Sequence, residues 1–268
     1  VIAHPNRTFV AGGEAGLGGS IPNRRFYATE LSPCPYRPGR LERRLVTVLD
    51  PADEEGLLDQ LTVAGFRRSQ RFLYKPVCPG CRACVPTRIP VGAFVPGRTF
   101  RKILKRNADL GWSERPARAT DEQFLLFRRY IQARHGDGGM AEMGWRDFVE
   151  MIEEAGRSTR VVELRRNDGR LMAVSLTDFT ASGLSGVYKF FEPDEPERSL
   201  GTFVILRHVE RARELGLPFV YLGYWIADCR KMAYKRRFRP LEGLFGAEWR
   251  PLPDEPTAPS GETFCPVP

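Results

Sequence analysis

The sequence predicts a mixed α/β (α+β) protein, with a layered C-terminal half and a smaller mixed N-terminal region. Three observations predict it. The C-terminal half carries several strand-like runs around one long amphipathic helical stretch. The N-terminal part breaks into short strands and helices around a Cys-rich turn. The length of 268 residues, with 42% hydrophobic residues, is ample for a buried core, and charges of both signs at 28% argue against wholesale disorder. The chain divides into a lead-in (1–23), a Cys-containing region (24–110), a layered domain (111–250) and a tail (251–268).

The lead-in holds Gly12, Gly13, Gly16, Gly18 and Gly19 and reads as flexible. Strands are expected at 26–31 and 44–49. Residues 53–64 read as a helix, acidic at its start, with Leu57, Leu58 and Leu61 on one face and Gly65 beyond its end. Extended pieces follow at 72–78 and 85–91, then helices at 98–110, 121–135 and 144–155. Strands are expected at 160–166, 171–179 and 184–191, the first two joined by the hairpin turn Asn167-Asp168-Gly169. Over 200–215, Val204, Ile205, Val209, Ala212 and Leu215 share one side of a helix that Gly216 ends. A strand at 219–222, a short basic helix at 228–238 and a last strand at 247–250 complete the domain. That order describes an acyltransferase-like α/β layer sandwich. The tail has six prolines in eighteen residues and reads as extended.

No run approaches the ~20 apolar residues that span a bilayer, and no signal peptide is visible. Lys and Arg outnumber Asp and Glu, 41 to 33, for a net charge of +8. This favours a polyanionic partner such as nucleic acid. Six cysteines in a chain of this length do not resemble a secreted disulfide framework.

Four local signals carry chemistry. Cys78-Pro-Gly-Cys81-Arg-Ala-Cys84 sets three thiols on one turn, a spacing that suits zinc or an iron–sulfur cluster. Cys34 is the natural fourth ligand; the alternative is a loop of free thiols. Arg98, Arg101, Lys102 and Lys105 form one face of a helix opposite Phe100, Ile103 and Leu104, as a phosphate-backbone contact requires, unless the face is merely solvated. A second basic cluster spans Arg230, Lys231, Lys235, Arg236, Arg237 and Arg239. Arg198-Ser-Leu-Gly201-Thr202 opens the long helix and matches half of a pyrophosphate loop, with Phe203 where a second small residue would stand. Tyr221-Leu-Gly-Tyr224-Trp225 reads as a strand that ends at Gly223, with aromatics lining a cleft or packing in the core. His208, on the apolar side of its helix, reads as a packed residue, and a histidine-based triad is not supported.

These pieces occur in an order that resembles the arginyl-tRNA–protein transferase family, most closely its bacterial leucyl-transferring branch. The resemblance rests on Cys34-Pro-Tyr-Arg-Pro-Gly-Arg40, Gly65-Phe-Arg-Arg-Ser69, Tyr74-Lys-Pro76, the Cys78–Cys84 turn, and Arg98-Thr-Phe-Arg-Lys102 with Arg106-Asn107. It continues through Met143-Gly-Trp145, Leu222-Gly-Tyr-Trp-Ile226, Arg230-Lys-Met-Ala-Tyr-Lys235 and Phe238-Arg-Pro-Leu241. Thr99-Phe100 departs from the Ser-Gln expected of the family there.

The resemblance implies an acetyltransferase-like C-terminal half that moves an aminoacyl group from charged tRNA to the N-terminal amine of a protein, marking it for degradation. In the bacterial branch the group is leucine and the acceptor begins with Asp or Glu. The setting implied is cytoplasmic, with no membrane partner. Arg68, Lys75, Lys231 and Lys235 are the cations expected to hold the acidic acceptor, and Trp225 and Met232 are expected to line the leucyl pocket. Arg98, Arg101, Lys102, Lys105, Arg198, Gly201 and Thr202 are expected to face tRNA. An aminoacyl ester is already activated, so the transfer itself calls for no cofactor; a zinc ion or iron–sulfur cluster on Cys34, Cys78, Cys81 and Cys84 would be structural. Tyr188, Tyr224 and Tyr234 are the candidate oxyanion donors, and no general base emerges. The alternatives are arginine as donor group, a non-catalytic tRNA-binding module, and an acetyl-CoA-dependent N-acetyltransferase, against which Phe203 argues.

Overall fold

The computed structural model describes residues 9–11, 24–50, 54–134, 140–154, 156–227 and 229–253. In chain order the strands are β1 Phe9–Ala11, β2 Tyr27–Thr29, β3 Ser32–Pro33, β4 Leu41–Glu42 and β5 Arg44–Val48. After helix α1 (Glu54–Val63) come β6 Arg67–Ser69, β7 Phe72–Pro76 and β8 Val85–Pro90. Helix α2 (Arg98–Arg106) leads to β9 Leu110–Pro116, and helices α3 (Asp121–Arg134) and α4 (Trp145–Glu153) follow. Strands β10 Thr159–Arg166, β11 Leu171–Thr180 and β12 Gly183–Phe191 precede helix α5 (Leu200–Glu214) and β13 Phe219–Trp225. A 3₁₀ helix at Arg230–Arg237 leads to β14 Glu242–Phe245 and β15 Glu248–Pro251.

Two sheets organise the chain. The smaller has the order β1-β2-β5-β7-β6 and the larger β15-β14-β8-β13-β12-β11-β10-β9, while β3 and β4 form a two-stranded ribbon. Every neighbour in the large sheet is antiparallel except β12 and β13. A parallel pair needs a crossover, and α5 supplies it.

Apolar residues sort into three cores. On one face of the large sheet, Phe203, Val204 and Leu206 of α5 pack with Phe100 and Ile103 of α2. Leu126, Phe127 and Ile131 of α3 pack with Phe148 and Ile152 of α4, joined by Val174, Leu176 and Phe190 of the sheet. Leu57, Leu58 and Leu61 of α1 pack with Phe66 and Leu73 in the small sheet. The expected mixed α/β class and most expected elements are present.

Five local expectations change. Within the lead-in, Phe9–Ala11 is a strand paired with β2 in the register Phe9↔Thr29; Phe9 and Val10 favour extended backbone, and the pairing satisfies the edge of β2. The rest of the lead-in, and the tail beyond residue 253, lie outside the described residues. The helix from Arg98 stops at Arg106, because Asn107 caps it with its backbone N–H and with its side-chain amide, 2.9 Å from the Ile103 carbonyl. The chain is thereby freed to enter β9, which pairs with β10. The strand from Phe219 runs on through Gly223 to Trp225. The basic segment near 228–238 is a 3₁₀ helix and not an α-helix. Finally, β8 of the Cys-containing region lies inside the large sheet, between β13 and β14, so the 110/111 line separates two pieces of one sheet.

Candidate active site

The parallel pair decides where a cleft opens. Pairing between β12 and β13 covers only Gly183↔Phe219 to Ser185↔Tyr221. Beyond it both strands continue apart, β12 to Phe191 and β13 to Trp225. Each strand is bent by an irregularity here, between Leu176 and Thr177 in the β11–β12 register and between Tyr221 and Gly223 in the β13–β8 register.

Arg67 of β6 reaches into this divergence. Its Nη1 donates to Ser185 Oγ at 2.8 Å and its Nη2 to the Gly186 carbonyl at 2.5 Å. Gly223 makes room for it: its φ is +77°, and a Cβ there would stand 3.0 Å from Arg67 Nε. Lys235, buried, donates to the Tyr224 carbonyl. Half-buried Lys189 sits on β12 with Nζ 5.5 Å from the centre of the Tyr234 ring. Burial lowers the pKa of both lysines, that of Lys189 to about 8, and Arg67 and Lys189 push Lys235 down further. Among the described residues no Asp or Glu pairs with any of the three cations. Gathering cations away from water without counter-charges is costly, and an anion entering the cleft offsets that cost.

Of the cations expected to hold an acidic acceptor, only Lys235 lies in this cleft. Arg68 does not: its guanidinium is forked onto Asp178 at 2.7 and 2.9 Å, deep in the joint between the sheets. Alternation along β6 sends Arg67 and Arg68 to opposite faces, and the sequence gives no sign of which faces the cleft. Lys75 donates to the Ala64 carbonyl at 2.9 Å and lies over the Phe66 ring. Lys231 is exposed on the 3₁₀ helix.

The three tyrosines separate. The Tyr224 hydroxyl stands 3.0 Å from both the Gly65 and Tyr74 carbonyls, so its single proton is already committed. Tyr188 points its hydroxyl at Met140 Sδ, 3.4 Å away, within the α3–α4 layer. It is the Tyr234 ring that faces Lys189; burial raises its pKa to about 12, so it remains a proton donor.

At the opening of α5 the residues expected to face tRNA are engaged within the protein. Arg198 is forked onto Asp109 at 2.9 and 3.0 Å and reaches Glu195 at 2.6 Å, so its charge is compensated. Gly201 is needed by Phe191, whose ring would lie 2.9 Å from any Cβ there. Thr202 is half-buried, with its N–H on the Ser199 carbonyl. Trp225 is buried at the end of β13 beneath the Arg236 guanidinium, and Met232 is half-buried in the adjoining 3₁₀ helix.

The basic surface beside the cleft has two parts. Arg98, Arg101, Lys102 and Lys105 are all exposed, and Phe100 and Ile103 of the same helix are buried. Phe100 stacks on Phe238 at 4.7 Å, which places α2 next to the 3₁₀ helix and its exposed Arg230, Lys231 and Arg237. That stacking is the structural use of the aromatic at position 100.

Cys34, Cys78, Cys81 and Cys84 share one neighbourhood: the other three thiols add to burial in raising the pKa of Cys84, to about 12. Cys78 donates toward the Arg43 carbonyl at 3.7 Å, and Arg37 approaches Cys81 Sγ at 4.0 Å. Four thiolates are the right donor chemistry for a soft metal. Among the described residues no three His, Cys, Asp or Glu side chains stand close enough to hold an ion. Nor is any helix there long and apolar enough to cross a membrane.

A separate cavity of about 550 Å³, lined in part by Asp59, Glu114, Arg160, Phe179, Arg211 and Leu215, lies at the C-terminal end of α5.

Residues 32–102 match the N-terminal region, and 122–245 the C-terminal region, of the family described as arginine-tRNA-protein transferase. The aspartate/glutamate leucyltransferase of Parvibaculum lavamentivorans is 56% identical over 229 residues, covering 85% of this chain and 95% of that protein. That of Gluconacetobacter diazotrophicus is 51% identical over 227 residues, covering 85% and 87%. Among solved structures, the GCN5-related glucosamine N-acetyltransferase region of a fungal multi-domain GH3 β-N-acetylglucosaminidase aligns with a TM-score of 0.38 at 8% identity, over 74% of this chain and 23% of that one. With both regions matched in order and half of the positions shared with full-length relatives, the chain belongs to the arginine-tRNA–protein transferase family.

Proposed function

We propose that this protein transfers leucine from Leu-tRNA to the N-terminal amine of proteins that begin with Asp or Glu. One observation carries the reading. Arg67 and Lys235 stand without carboxylates where β12 and β13 part, beside the exposed cations of α2 and the 3₁₀ helix. The acceptor's acidic side chain pairs with Arg67 and, on entering, favours the charged form of Lys235, whose pKa burial and the neighbouring cations hold down, and the outer cations meet the tRNA backbone. The names of the relatives point the same way. The ester is already activated, so most of the rate comes from positioning, with Tyr234 donating to the developing oxyanion.

Arginine as the donor group is the second reading, favoured by the family's description. An arginyl side chain would call for carboxylates near its pocket, and Trp225 is instead overlaid by Arg236. Incubation of the protein with Leu-tRNA or Arg-tRNA and an Asp-starting peptide decides between them. Leucylated peptide alone is expected. Arginylated peptide alone supports the second reading, and tRNA binding without product supports a binding module.

The reaction belongs in the cytoplasm, where charged tRNA is made, and its product is marked for degradation. Cys34, Cys78, Cys81 and Cys84 share one neighbourhood without standing at ligand distance, and they are proposed to draw together around a structural zinc ion or iron–sulfur cluster. Metal analysis of protein prepared without oxygen tests this: no metal, with all four thiols titratable, contradicts it.

A further inference from the structure

Holding an acidic side chain does not account for every cation in the cleft. Lys189 lies on β12, beyond the last residue paired with β13 and directly opposite Ser175 of β11. Its Nζ finds no hydrogen-bond acceptor among the described residues, and it faces the Tyr234 ring from 5.5 Å. The charged and titratable groups around it come from four elements: Arg67 of β6, Lys235 and Tyr234 of the 3₁₀ helix, His208 of α5, and Tyr130 of α3, which acts on Tyr234. None is a carboxylate. His208 is buried and neutral, bonded through Nε2 to Thr177 Oγ1 at 2.8 Å; burial and Lys189 together bring its pKa to about 3. A half-buried amine with cations for neighbours and no acid to hold its proton is a proton acceptor in waiting. The same surroundings disfavour an ammonium on the acceptor.

Resting on the transfer reaction proposed above, we infer that Lys189 is the general base, taking the proton from the acceptor α-amine as that amine attacks the leucyl ester. The balance closes without a further reagent. The neutral amine forms the C–N bond, the bond from the carbonyl carbon to the ribose oxygen breaks, and Lys189 Nζ receives the nitrogen's proton. The resulting ammonium returns that proton to the departing ribose oxygen. With its pKa brought to about 8, Lys189 is matched to an α-amine of about 7.7–8.0. An acid–base residue was not legible in the sequence; its one sign was a lysine between Tyr188 and Phe190 in a strand otherwise fit for burial.

The test is single-turnover leucyl transfer from Leu-tRNA to an Asp-starting peptide between pH 6 and 9.5, with wild type, Lys189→Arg, Lys189→Gln and Lys189→Ala. Below pH 8 the wild-type rate at saturating peptide should climb with a slope near two, one proton from the acceptor and one from the lysine. All three variants should lose about 10²–10⁴-fold in that rate, with a slope near one and peptide KM little changed. Added methylamine or ethylamine should restore at least about tenfold to Lys189→Ala, since a small amine can fill the vacated role. Thermal midpoints and tRNA affinity identify any variant that fails to fold. Wild-type rates in Lys189→Arg, which keeps its charge and cannot give up its proton, overturn the assignment. So do a raised KM at unchanged rate, and an absence of amine rescue in a folded Lys189→Ala. Wild-type protein that makes no leucylated peptide overturns the transfer reaction itself.

Discussion

Arg68 and Asp178 form a forked ion pair across the joint between the two sheets, with Nη2 2.7 Å from Oδ1 and 1% of each side chain exposed. Thr159 completes the group, its hydroxyl 2.7 Å from the same carboxylate oxygen. Arg68→Ala leaves a buried carboxylate without a partner and should cost about 3–5 kcal/mol of stability. Urea unfolding measures the loss. Activity should fall alike for acidic and non-acidic acceptors. A selective loss with Asp- and Glu-starting peptides at unchanged stability would return Arg68 to the acceptor site.

The exposed face of α2 makes a prediction about salt. Arg98, Arg101, Lys102 and Lys105 changed together to Gln should weaken tRNA binding and flatten its dependence on salt, by about 0.7–0.9 in logarithmic slope for each phosphate left without its cation. Binding titrations from 50 to 200 mM salt read both. Unchanged affinity and slope would show the face to be solvated only.

His208 sets a stability limit in acid. Its folded pKa, about 3, lies below the ordinary value of 6.5, so the unfolded chain binds the proton more readily. The contribution is complete above about pH 6.5 and is lost as pH falls toward the folded value. Thermal midpoints should therefore decline between pH 6.5 and 4, and His208→Gln should decline less. Parallel curves for the two proteins would contradict this.

Gly223 couples backbone shape to the cleft. Gly223→Ala places a Cβ 3.0 Å from Arg67 Nε, on a residue with φ of +77°. The strained backbone costs on the order of 1–3 kcal/mol, and Arg67 must shift from Ser185. Transfer to an Asp-starting peptide should fall about tenfold or more, while tRNA affinity holds. Full activity would mean that the position of Arg67 is not critical.

Local pattern determined the helices of the second half, the hairpin at 167–169, the amphipathic character of α2 and the three cysteines of the 78–84 turn, because spacing along the chain alone produces them; Cys34 joins them only through the fold. Family motifs then pointed to the activity. Pairing between distant segments decided the rest: β9 exists because β10 offers it an edge, and β8 joins the large sheet although it lies near the Cys turn in sequence. The same holds for charge. Arg67, Arg68 and Arg198 are alike as letters, and only their neighbours make one a cleft cation and the other two structural ion pairs. Lys189 follows this rule most closely, since burial and the absence of a nearby acid come from strands and helices far apart in sequence, and a residue's free energy of charging depends on that whole environment.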